Sequence, residues 1–211
     1  MIVYCEGADR LTSSITESSL VTEFSFSINF LLFLHAIYTN IHEEKEEFPF
    51  IHVDRASLLP LEEFRKYLYE KWIQILHSAA ETDTSKCLDY QCVFAENPIF
   101  EELFAPSKSG KTTFQYVKSF YKGWYHSCHI AYDLSAGELS ADIYNKLASL
   151  TENVESKIKN KYHFFVTYTE LPTELPMSYK SVIVLSMESM VKMAFSNSAQ
   201  RILDYLDTSP S

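Results

Sequence analysis

At 211 residues the chain is long enough for one domain, or at most one and a half, with ample material for a buried core. Its formal charge of −10, from 18 basic and 28 acidic side chains, excludes a general nucleic-acid surface, which needs clustered Lys and Arg. Four glycines and seven prolines leave little for long linkers or Gly-rich ligand loops, while fifteen Phe and fourteen Tyr favour strands and packed rings.

The first nineteen residues read as an N-terminal strand or flexible lead, with Ser and Thr filling the stretch after Gly7 where a signal peptide needs an apolar run. Residues 20–41 follow as a helix. Val21, Phe24, Ile28, Leu31, Leu32, Phe33, Leu34, Ile37, Tyr38 and Ile41 cover nearly its whole circumference, which marks a buried, central element. The apolar block 24–36 contains Ser25, Ser27, Asn29 and His35 and is too short to span a bilayer. The run Glu43-Glu44-Lys45-Glu46-Glu47 reads as a solvated surface.

A second helix starts near Pro60, whose fixed φ suits a first turn. Leu61, Phe64, Leu68, Trp72, Ile75 and Leu76 form its apolar stripe, so it lies on a core. From Leu88 the period changes to two. Leu88, Tyr90, Cys92 and Phe94 share one strand face, and Asn97-Pro98 ends it. Residues 97–112 read as a long loop. Phe114, Tyr116 and Phe120 alternate with polar residues, Lys122-Gly123 reads as a turn, and Trp124, His126, Cys128, Ile130, Tyr132 and Leu134 alternate on the way back. The expectation over 113–134 is a β-hairpin.

A third helix is expected after Gly137, with Ile143, Leu147, Leu150, Val154 and Ile158 as its stripe and lysines at its C-terminal end. Strands at 163–168 and 179–185 flank a Leu-Pro connection, and a short helix takes Ala199, Ile202, Leu203 and Leu206. Residues 207–211 form a tail.

Three stretches imitate enzymes. "APSKSGKT", residues 105–112, fits a loose P-loop, but Glu101-Glu102-Leu103-Phe104 enters it instead of a buried strand, and the expected strand leaves it where a helix is needed to help bind phosphate. "MIVYCEG" ends in Glu6, with Asp9 nearby, as in the metal-binding fold of topoisomerases and primases; the matching "FIHVDRA" supplies Asp54 but has Ala56 in the second acidic position. "HSCH", residues 126–129, offers zinc ligands, yet on a strand His129 faces away from His126 and Cys128. The four cysteines, Cys5, Cys87, Cys92 and Cys128, form no CxxC pair. The expectation is a soluble intracellular protein with free thiols, no cofactor, no metal and no catalysis.

The element order, together with "LVTEFSFSINFLLFLHAIYTNI" and "LLPLEEFRKYLYEKWIQIL", resembles the HORMA domain over residues 20–206. "FLLFLHAIY", "GWYHSCHIAYDL" and the ending "SYKSVIVL…SAQRILDYL" are most similar to the small HORMA-only subunit of the autophagy-initiation kinase complex. The resemblance implies an α+β fold, with three main helices packed on a mostly antiparallel sheet. It also implies a non-catalytic cytoplasmic adaptor, acting where autophagosomes form, that heterodimerises with a HORMA-domain scaffold and stabilises it.

Two partner-binding regions follow from it. The third helix, over 142–162, would present Asn145, Ser149, Asn153 and Ser156 to the scaffold. The 97–112 loop corresponds to a family finger for downstream autophagy factors; it has no Trp, so Phe100 or Phe104, with Leu103, takes that place. The alternatives are a peptide-binding HORMA adaptor of the spindle-checkpoint or translesion-polymerase type, and a Mg-dependent nuclease or P-loop nucleotide binder using Glu6 or Lys111.

Overall fold

The computed structural model describes residues 20–46, 48–81, 98–151 and 162–195, and these form an α+β arrangement of four α-helices and a four-stranded mixed sheet. The chain groups into two compact units. One is Ser25–His129, largely helical; the other joins Met1–Phe24 to Ile130–Ser211 and contains the sheet.

The helical unit is organised by α1, Phe26–Glu43. Ser25 starts it as an N-cap, its hydroxyl oxygen accepting the Ile28 N–H at 3.1 Å. Every residue from Phe26 to Leu34 is buried, as the near-continuous apolar circumference requires. Asn29 is tolerated inside because its side-chain amide donates to the Ser25 carbonyl at 2.7 Å. α2, Leu61–Glu81, begins after Pro60 and buries Phe64, Leu68, Trp72, Ile75 and Leu76, the predicted stripe.

The expected hairpin over 113–134 is instead part of one long helix, α3, Lys108–Thr151, which contributes its first half to the helical unit and its second half to the sheet unit. Its buried positions in the first half are Phe114, Val117, Tyr121 and Tyr125, spaced three and four apart. Rings stand at so many positions here that a period of two fits as well as 3.6. Tyr116 and Phe120, which made the alternation, are 53% and 44% exposed. The predicted 97–112 loop is likewise a 3-10 turn, Pro98–Leu103, followed by the start of α3.

In the sheet unit β1, Leu20–Phe24, is a strand where the sequence predicts the first turn of the central helix. It pairs in parallel with β2, Tyr162–Thr167, which pairs in parallel with β4, Val182–Ser186; only β3, Ser178–Tyr179, runs antiparallel. The expectation of a mostly antiparallel sheet is therefore corrected: the order is β1-β2-β4-β3, with two parallel pairings and one antiparallel. All five residues of β4 are buried, the usual state of a strand covered on both faces. The predicted 179–185 strand is broken by a two-residue turn at Lys180-Ser181, with Lys180 in the left-handed region at φ 49°.

α4, Met187–Phe195, follows at once, with Ser186 accepting the Ser189 N–H at 3.0 Å as its cap. Lys146 of α3 donates to the Ala194 carbonyl at 2.5 Å, a cation at the end of α4 that favours one. The predicted 88–94 strand, the last helix at 199–206 and residues 152–161 of the predicted third helix lie outside the described residues.

One side chain ties the helical unit together. Tyr38 is buried on α1, stacks on Phe64 of α2, donates to the Leu103 carbonyl at 2.5 Å and accepts from the Leu59 N–H at 3.0 Å. Burial pushes its hydroxyl well above the ordinary phenol range, so it stays protonated and able to donate. Tyr38→Phe keeps the ring but leaves a buried N–H and C=O short of a partner, and is expected to cost about 1–3 kcal/mol, read as a fall in Tm or in denaturant midpoint.

Candidate functional site

The helical unit has an open groove of about 850 Å³ lined by α2, the Pro98–Leu103 turn, Phe104 to Pro106 and Lys111. Glu63, Tyr67, Lys71 and Gln74 recur four, four and three residues apart, so one stripe of α2 lines it. Half-buried Tyr67 and Ile99 supply apolar surface, and the buried Leu59 and Phe104 back it. Lys71 Nζ is 2.5 Å from Glu102 Oε2, with its side chain only 13% exposed, and Lys111 Nζ is 3.3 Å from Glu101 Oε1. Glu63 raises the carboxylates to three against two amines. Both amines thus face carboxylates, and the groove suits an amphipathic or cationic segment better than a phosphate. The helix and its buried stripe were readable in the sequence, but neither this groove-facing stripe of α2 nor the turn that opposes it stood out there.

The P-loop question has a new answer. The strand expected after Thr112 is absent, since Gly110, Lys111 and Thr112 occupy the first turns of α3, as a phosphate cradle would need. The lead-in differs, however: a 3-10 turn and an isolated bridge of Phe104 to Leu58 enter the loop. Ser107 caps the helix, its hydroxyl taking the Gly110 N–H at 3.1 Å and its carbonyl the Lys111 N–H at 3.0 Å. The Ala105 carbonyl oxygen lies so close that a Cβ on Gly110 would overlap it. Acceptors of this chain fill the space where an anion would seek donors.

Phe100, Leu103 and Phe104 are 2%, 0% and 2% exposed. Phe100 packs edge-on against Phe30 at 5.1 Å, and Phe104 lies 5.6 Å from Phe114, so these side chains belong to the interior of the helical unit and form no projecting loop. Asn145 is exposed on α3 in the sheet unit; the side chain of Ser149, and Asn153 and Ser156 altogether, lie outside the described residues. Of the metal candidates, Asp54 caps a 3-10 turn by accepting the Ala56 N–H at 3.0 Å, and Glu6 and Asp9 lie outside the described residues.

His126 and His129 share a helix face, with rings 5.6 Å apart, where the strand reading had them opposed; His129 stacks on Tyr125. Burial pushes the neighbouring Cys128 thiol up, away from the reactive thiolate. Among the described residues no group of three His, Cys, Asp or Glu side chains is placed to hold a metal ion, and no helix is long and apolar enough to cross a membrane. Compared with known proteins, the chain matches no family model, no curated protein and no solved structure.

Two glycines of α3 give opposite expectations. Gly110→Ala forces the Ala105 carbonyl aside and should cost about 1–3 kcal/mol, whereas a Cβ on Gly123 meets nothing within 4 Å, so Gly123→Ala should gain about 0.5–1 kcal/mol of helix propensity. Thermal melts of the two variants check both signs. Phe100→Ala empties a buried ring's place and should cost about 3–5 kcal/mol, read in the same melts. An unchanged melting curve would return Phe100 to a partner-facing role.

Proposed function

We propose that the protein is a non-catalytic adaptor that acts by binding other proteins. The observation that carries this reading is the groove of the helical unit, where half-buried Tyr67 and Ile99 line one open surface with both amines turned to carboxylates. Such a surface combines apolar contact area with a slight acidic excess, the composition that receives a peptide or helix with basic residues on its flank.

The narrower form of the proposal names the partner as a HORMA-domain scaffold of an autophagy-initiation complex, with the chain acting in the cytoplasm. It is supported by the buried α1 followed by the amphipathic α2, and by the strands ending at Thr167 and Ser186. The "GWYHSCHIAYDL" segment no longer supports it as a strand, because those residues are helical.

Cross-linking and affinity capture from cells should recover the same partners with wild-type protein and lose them with Tyr67→Arg, a groove variant, at unchanged circular dichroism. Capture of a HORMA scaffold among those partners supports the narrower form. Calorimetric titration with Mg-ATP should be silent. A binding heat that Lys111→Ala abolishes would contradict the adaptor reading outright.

A further inference from the structure

A second surface of the helical unit is distinct from the groove. α1 ends at Glu43, and the chain returns through Phe48-Pro49-Phe50 to lie against its last turns, where the Asn40 amide donates to the Pro49 carbonyl at 3.5 Å. Phe48 there packs edge-on against Phe33 at 5.8 Å and lies 5.3 Å from Trp124 of α3, while Phe120, one turn earlier on α3, lies 6.2 Å from Phe33. The outer members of this cluster are open: Phe50 is 75% exposed, Phe120 44% and Phe48 36%. Tyr116, one further turn back on α3, is 53% exposed. Rings grouped in this way are an exposed apolar patch, which marks an interaction site more often than isolated surface apolars do.

Two further observations define what would cover it. Gly123 lies between Phe120 and Trp124 in sequence, is exposed, and has open space where a Cβ would stand, so the helical unit makes no use of the missing side chain. A glycine inside a helix costs about 1 kcal/mol against alanine, and its place here leaves the α3 backbone open to close approach by another element. Just before Phe48 in the chain, Glu43, Glu44 and Glu46 are exposed at and after the end of α1, where the helix dipole is already negative and acidic side chains are unfavourable. Lys45, through its 2.7 Å pair with Glu43, and Arg65 and His35 nearby act on Glu43, the first of these carboxylates. An acidic rim repels an anionic membrane, and the chain's net charge of −10 disfavours a second copy.

We propose that the surface formed by Phe48, Phe50, Tyr116 and Phe120 docks a basic amphipathic helix of a partner protein, its apolar stripe against the rings and over Gly123, its cationic side chains at Glu43, Glu44 and Glu46. The interaction follows the helix-in-groove mode, with the aromatic residues as anchors and the carboxylates setting orientation and rate of encounter. It does not rest on the HORMA reading or on the groove.

The probe is a synthetic 18-residue Leu-Lys peptide of helical amphipathic pattern, with a scrambled peptide of equal composition as control; full-length protein is titrated by fluorescence anisotropy. The helical peptide should bind at least tenfold tighter than the scrambled one, and binding should weaken as salt rises. Phe50→Ala with Phe120→Ala should weaken it at least tenfold, as should Glu44→Lys with Glu46→Lys, while the exposed Glu188→Lys on α4 should leave it within twofold. Circular dichroism checks folding, and Phe50→Ala alone, at the most exposed ring, serves if the double variant unfolds. Equal affinity for the two peptides, or wild-type affinity in the ring and charge variants, would overturn the proposal. So would binding to phosphatidylserine vesicles, or a dimer in sedimentation, that the ring variants abolish, since these would assign the surface to a membrane or to a second copy.

Discussion

α1 has apolar side chains around almost its entire circumference and therefore has to be covered on every side, and the rest of the helical unit follows from that demand. A single buried Phe or Leu side chain is worth about 1.5–3 kcal/mol relative to exposure, so leaving one flank of α1 wet would forfeit several such terms at once. The cover is built from rings. Phe26 meets Tyr121 and Tyr125 edge-on, Phe30 meets Phe100, and Phe33 meets Tyr121 and Phe48. Edge-on and tilted pairs of this kind add about 0.5–1.5 kcal/mol each beyond their area. Tyr121 closes the arrangement by donating to the Phe26 carbonyl at 2.7 Å, which joins α3 to the first turn of α1 with a buried hydrogen bond.

That covering dictates what remains for function. Phe100, Leu103 and Phe104 are consumed by it, so the segment that looked like a finger serves as a wall. The surfaces left over are those where the cover runs out: the groove between the α2 stripe and the 3-10 turn, and the ring patch where Phe48 and Phe120 spill over the edge of α1. Both combine apolar area with surplus carboxylate, and the charge of the whole chain has the same sign. A protein of this composition is suited to meeting basic, amphipathic segments.

How much of this was legible depended on whether one periodicity dominated. α2 could be read because Phe64, Leu68, Trp72, Ile75 and Leu76 stand out against Glu and Lys on the other face. α1 could be read from its dense apolar run, although its start could not: Leu20, Val21 and Phe24 extend the same apolar pattern, and only the pairing with β2, more than a hundred residues away, makes that segment a strand. α3 was misread because "FQYVKSFYKGWYHSCHIAY" places rings on every side, and Gly123 resembles a turn until the open space around it is seen. The direction of the sheet strands was not legible at all, since parallel pairing is decided by how distant segments meet. Of the candidate site little was visible: Glu63, Tyr67, Lys71 and Gln74 stand off the apolar stripe by which α2 was read, and the ion pairs of Lys71 and Lys111 depend on a turn that read as a loop.

The account stands on residues 108–129 being a helix that packs Tyr121 and Tyr125 against α1, because a hairpin there would uncover α1 and remove both candidate surfaces. Backbone NMR assignment of the full chain tests this most directly. The account predicts helical Cα secondary shifts running unbroken through Gly123, with contacts between the Phe26 and Tyr121 rings. Strand-type shifts on both sides of a turn at Lys122-Gly123 would contradict it.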